Sequence, residues 1–336
     1  MNKKTTLLLM GALFCHSMAI QAQEISETTV NAAITDSITY TQENSQFVEN
    51  LWYEGKIYRS RTVSQGTPIS FCWDKPDQPQ EKVVFARGVS PEKGWYDVNK
   101  KGDGTTGNDA VLCWAACCAN MLEWWQERYK ERFGELPEKA ITGVGKEYEL
   151  ALFELYQRDW KNNHGSEVDY GIPWYLTGED RTENVQGVAR PIAPGGYYTD
   201  QWDKISPLIP ENYIYCVEAY PTWGDGWDVD PKSEPLEIFT NLVIDAFKYG
   251  MASITIQVGY SNMHAITVWG YELDDNGLVS QLYITDSDDM LNRPKEPRVP
   301  ILHKFGIAKK GRDIGIVGML DGFNMIARFI PFKAGL

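Results

Sequence analysis

The sequence predicts an α+β fold, with a helix-rich first part and an antiparallel sheet in the second. Three observations carry this. Apolar residues recur at helical spacing over 112–133, 145–160 and 233–250; strand-like alternating runs fill the stretch from 251 to the C-terminus; and Asn276-Gly277, flanked by apolar alternation, marks a tight hairpin between two of those runs. Of the 336 residues, 43% are hydrophobic and 12% aromatic, which is enough for a sizeable core and excludes a disordered chain.

In chain order, Lys3 and Lys4 precede an apolar run over 7–14 that ends on small residues around Ala19 and Ala22. This is the pattern of a secretory signal peptide over 1–22, cleaved near Ala22 to leave a secreted or periplasmic chain. No later run approaches the roughly 20 apolar residues of a membrane span, so no membrane insertion is expected. The net charge of −14 becomes −16 when the two lysines leave with the signal, a balance that disfavours nucleic acid as a partner. Residues 23–82 read as a polar leader and a small β element, with strand-like pieces such as KIYRSRTV between turn residues, and the main domain runs over 83–336.

Within that domain, the Gly/Asp-rich stretch before Leu112 opens into a buried helix, LCWAACCANMLEWWQERYKERF. A second helix is expected over 145–160. A third spans 233–250, with Ser233 as N-cap, Pro235 in the first turn and Gly250 as the stop. Between them, 164–232 is an insert dense in Gly, Pro, Tyr and Trp, which either shapes a cleft or covers the core. The strands ASITIQVG, HAITVWGYEL, LVSQLYITDSD, IGIVGMLDGF and NMIARFIPF follow.

Losing Cys15 with the signal leaves five cysteines, an odd number, so at least one free thiol is expected. There is no CxxC pair and no Cys/His ladder, and neither a metal nor a cofactor is expected. Cys72 and Cys216 are either a disulfide or two buried thiols. Cys113 differs from Cys117 and Cys118 in standing where the polar loop turns into the helix, where free N–H groups and the helix dipole favour a thiolate and can hold an oxyanion. Read alone, it is more readily a third buried thiol.

A thiolate nucleophile needs a proton carrier. Once His16 is lost, His164 sits in a polar turn and His303 beside Lys304 without catalytic context, whereas His264 begins an apolar strand. Asp286 and Asp288 lie just past its hairpin partner. Strict alternation puts Asp286 on the other face from His264, so contact requires a bulge or a longer loop. Helix-borne Cys, then His, then Asp is the order of a papain-like nucleophilic triad.

At these residues the chain resembles the IdeS/Mac family of secreted bacterial cysteine endopeptidases, through GWYDVNK at 94–100, LCWAACCANMLEWW at 112–125, HAITVWGYELDDNG at 264–277 and LYITDSD at 282–288. The resemblance implies a papain-like fold, Cys113 as nucleophile, His264 as base, Asp286 as its orienting residue, Asp288 as a supporting carboxylate and Lys100 as an oxyanion donor. It implies a protein substrate, either a host extracellular protein or a bacterial surface protein. The streptococcal founders cut immunoglobulin G, but the aromatic insert and the segment before Val83 depart from them, so that substrate is not carried over. A transglutaminase-like or amidase acyl transfer would use the same triad, and an idle binding protein would use the aromatic insert. The intact Cys113, His264 and Asp286 argue against the latter.

Overall fold

The computed structural model describes residues 50–53, 55–61, 82–101, 109–218, 235–258, 262–288, 300–311, 313–319 and 322–336. The expected signal peptide, Cys72, Ser233 and the end of the aromatic insert, 219–232, lie outside the described residues. All described residues except Lys82 belong to one structural unit, which comprises Gln46–Phe71 and Val83–Leu336.

The described strands are β1 (Asn50–Tyr53), β2 (Gly55–Arg61), β3 (Val83–Phe85), the short β4 (Trp160–Lys161), β5 (Arg190–Pro191) and β6 (Val217–Glu218), then β7 (Met251–Val258), β8 (Asn262–Leu273), β9 (Val279–Thr285), β10 (Ile301–Lys310), β11 (Asp313–Val317) and β12 (Phe323–Phe332). The helices are α1 (Cys113–Phe133), α2 (Ala151–Asp159), α3 (Val168–Thr177), the single turn α4 (Trp202–Ile205) and α5 (Pro235–Tyr249). The α+β class and the papain-like order of helix before sheet both hold.

The antiparallel pairings close on themselves. From β7 they run through β8, β9, β10, β11 and β12 and back to β7, a ring of six strands that leaves none of the six with an unpaired side along its whole length. β3 adds outside β8, and the β1–β2 hairpin joins the same sheet through β10. The hairpin turn falls at the expected step, with Gly277 at φ 76° and its N–H donating to the Asp274 carbonyl at 3.1 Å.

Helix α1 packs against β8, α2 and α3 and is buried on nearly every side from Trp114 to Gln126. Helix α2 begins six residues later than expected. The Glu154 carboxylate turns back to accept the N–H groups of Glu147 (2.6 Å) and Tyr148 (3.1 Å), which fixes the preceding segment as a loop. Helix α5 ends as expected before Gly250, because a Cβ there would lie 1.9 Å from the Phe332 carbonyl oxygen.

The described part of the aromatic insert covers the core. Trp174, Tyr175 and Tyr198 are fully buried, and Tyr198 meets Trp125 edge-on with centroids 4.7 Å apart. It also contains a helix that the sequence reading did not anticipate, α3, which lies against α1 where Gly171 admits the Cys118 sulfur and the Trp114 ring.

Candidate active site

Cys113 is the first residue of α1 and stays partly exposed, whereas Cys117 and Cys118, one turn further in, are buried. Burial pushes the thiols of Cys117 and Cys118 well up, towards inert neutrality. Burial acts on Cys113 in the same direction, yet its value falls below that of an ordinary thiol. A hydrogen bond and the charge of His264 outweigh desolvation, helped by the Lys100 ammonium and the backbone of Ala265.

His264 is held from both sides. Its Nε2 lies 2.6 Å from Asp286 Oδ1 in a buried contact, and its Nδ1 lies 3.7 Å from Asp288 Oδ2. With Nε2 taken by Asp286, Nδ1 is the ring nitrogen left for Cys113. Burial favours the neutral ring, but Asp286 and Cys113 overcome it and raise His264 well above the ordinary imidazole range. Asp286 responds in kind. Burial would raise its carboxyl, but His264 and the Asp288 N–H hold it below the usual range.

The parity follows from two irregularities between β8 and β9. Leu273 pairs with Val279 but Glu272 with Gln281, which leaves Ser280 extra, and Gly270 pairs with Tyr283 but Val268 with Ile284, which leaves Trp269 extra, a bulge that restores the register of the turn. Continued past Thr285, this register brings position 286 to the same parity as 264, and the carboxylate and imidazole meet.

Lys100 reaches the same place from the segment before α1. Its N–H donates to the Ser287 carbonyl at 2.8 Å, its Nζ donates to the Ala110 carbonyl at 3.0 Å, and Nζ forms an ion pair with Asp288 Oδ1 at 2.9 Å. Asp288 therefore links the lysine to the imidazole. An ammonium has three N–H donors; two are used here among the described residues.

Two residues at this site were not singled out in the sequence. Asn120, two turns below Cys113 on α1, accepts the Val98 N–H (3.2 Å) and donates to the hydroxyls of Thr267 on β8 (3.2 Å) and Thr285 on β9 (3.5 Å). An amide among the small and apolar residues at the start of a buried helix is the signal that could have found it. His303, set aside for lack of context, is buried on β10 opposite Ile284 and stacks on Phe305. His164 is exposed and remote in character, as its turn suggested. Cys216 carries a free, half-buried thiol.

His264, Asp286 and Asp288 could as a group offer three atoms to a metal ion. Their chemistry argues otherwise. Nε2 is committed to the Asp286 carboxylate, Nδ1 serves the Cys113 thiol, and Asp288 is already paired with Lys100. No described helix is long and apolar enough to cross a membrane.

Residues 15–170 and 237–310 match the sequence profile of the family described as Mac 1. A curated relative, the IgM protease of Streptococcus suis (strain P1/7), is 26% identical over 290 residues. That alignment covers 78% of this chain but only 23% of the relative, so the chain spans about a quarter of that protein's length. The chain belongs to the Mac family.

Proposed function

We propose that this member of the Mac family is an exported cysteine endopeptidase that hydrolyses peptide bonds of a protein substrate through Cys113, His264 and Asp286. The observation that carries the reading is the buried contact of 2.6 Å between His264 Nε2 and Asp286 Oδ1, on a ring whose other side serves the thiol at the start of α1. The relative named IgM protease supports peptide-bond cleavage as the reaction.

In this reading Cys113 rests as a thiolate beside the His264 imidazolium. The sulfur attacks the carbonyl carbon, and the carbonyl electrons move onto oxygen. The backbone N–H groups at the start of α1 and the remaining N–H of the Lys100 ammonium stabilise that oxyanion. As it collapses, the C–N bond breaks and His264 gives its proton to the departing amine. Water then attacks the thioester with His264 as base, releasing the acid and restoring the thiolate. Asp286 keeps the ring oriented and charged throughout, and Asp288 holds Lys100 beside it.

The immunoglobulin specificity of the relative is one candidate; other extracellular or bacterial surface proteins are equally open to an exported enzyme. The test is a cleavage profile of extracellular proteins, IgM included, treated with the mature protein or with Cys113→Ala. New N-termini that appear only with the active protein are the expected result. Identical profiles would overturn the reading, and incorporation of amines without hydrolysis would replace it with transglutaminase-like transfer.

A further inference from the structure

The segment that carries Lys100 and the segment that carries Cys113 are separated by residues 101–112, and they have to hold a donor and a nucleophile in fixed relation. Asp109 is placed to do this. It is 1% exposed, and its Oδ2 accepts the backbone N–H of Lys101 at 2.6 Å and the hydroxyl of Tyr148 at 2.8 Å. Its backbone carbonyl accepts the N–H of Leu112 at 2.9 Å, in the turn that delivers Cys113 to the start of α1. One residue therefore grips the peptide next to Lys100 with its side chain and the peptide next to Cys113 with its main chain.

The surroundings anchor the grip to the core. Gln157 on α2 donates to the Tyr148 hydroxyl at 3.0 Å, and Tyr148 packs edge-on against Phe153 with centroids 4.7 Å apart. The Lys101 ammonium lies 4.4 Å from the centre of the Tyr148 ring and pairs with Glu147 at 3.1 Å. A buried carboxylate that accepts two such bonds is costly to place and is held by good geometry. Next to it, Lys100 Nζ donates to the carbonyl of Ala110, the residue after Asp109.

We infer that Asp109 is a positioning residue for the oxyanion: it sets Lys100 against Cys113 without touching the substrate or shaping the thiolate. The inference rests on the peptidase reading above for the role of Lys100. It separates two properties of Cys113 that a general structural role would lose together. Thiolate character comes mainly from the contact with His264, with a smaller share from the Lys100 charge, and largely survives without Asp109; stabilisation of the oxyanion comes through Lys100 and does not.

Two small probes read these properties apart in the full mature chain. Iodoacetamide alkylates the thiolate by displacing iodide, with formation of an S–C bond and no oxyanion. p-Nitrophenyl acetate is attacked at its acetyl carbon, passes through an oxyanion and expels p-nitrophenolate, leaving S-acetyl-Cys113. In Asp109→Ala, acetylation of Cys113 should fall about 10- to 100-fold while alkylation changes less than about twofold. Asp109→Asn, which keeps an acceptor oxygen at the same reach, should restore acetylation to near the wild-type rate. Lys100→Ala should lose as much as Asp109→Ala, and the double variant no more than the larger single loss. Parallel loss of both reactions, additive losses, or unchanged acetylation in Asp109→Ala would overturn the inference while leaving the triad intact. Absence of acetylation in the wild type would overturn the triad reading, and the inference with it.

Discussion

In the proposed triad the shifts of Cys113 and His264 point in opposite directions. The thiol lies below its ordinary value and the imidazole above, so the thiolate–imidazolium pair exists in the window between them. On the proposed mechanism, hydrolysis should fall on the acid side as the thiolate is protonated and on the alkaline side as His264 loses its proton. Asp286→Asn removes the charge that raises His264, so the alkaline limb should move to lower pH while the acid limb moves up. His264→Ala lets burial of Cys113 win. Its alkylation at neutral pH should then drop by about tenfold for each unit by which the thiol recovers. Alkylation rates measured across pH check both expectations, with Cys117 and Cys118 as slow internal controls. An unchanged profile in either variant would disconnect the triad.

Helices α1 and α3 pack closely because residue 171 has no side chain. A Cβ at Gly171 would lie 2.6 Å from Cys118 Sγ and 2.8 Å from the Trp114 ring. Gly171→Ala should therefore destabilise the protein by about 1–3 kcal/mol, seen as a lower denaturant midpoint. Replacing Cys118 by Ala in the same chain should recover only part of the loss, since the Trp114 contact persists. Full additivity of the two changes would mean that the sulfur is not the obstacle. The sequence hid α3 for a local reason: Pro173 interrupts it and has no N–H for the Asp169 carbonyl. That carbonyl instead accepts the Arg181 guanidinium at 3.2 Å, an interaction that periodicity cannot anticipate. By contrast α1 and α5 were legible, because apolar spacing decides a helix that is buried along its length.

At the scale of the molecule, the site is assembled from four segments far apart in sequence, and one side chain bonds all of them. Asn120 belongs to α1 with Cys113, accepts from Val98 two residues before Lys100, and donates to β8 three residues after His264 and to β9 one residue before Asp286. The candidate residues were legible only in combination, from the order of thiol, imidazole and carboxylate and from the family motifs, since each alone has an ordinary structural reading. Their contact was not, since it depends on a β8–β9 register that shifts at Ser280 and again at Trp269, and on a joint that only tertiary structure creates. The Trp269 indole itself donates to the Thr285 hydroxyl at 2.9 Å, so bulge and joint share one hydroxyl. Asn120→Ala leaves the Val98 N–H without its acceptor and removes the amide donor from Thr267 and Thr285, and should cost about 2–4 kcal/mol. Asn120→Asp keeps the acceptor and loses the donors, so it should fall between alanine and wild type at neutral pH. The decisive measurement couples stability to chemistry. Under conditions where Asn120→Ala remains folded, alkylation of Cys113 should already depend less on His264 than in the wild type, because the helix that carries the thiol is no longer tied to the strands that carry the base. A variant that loses stability yet keeps the full dependence on His264 would show that Asn120 holds the fold together without setting the site.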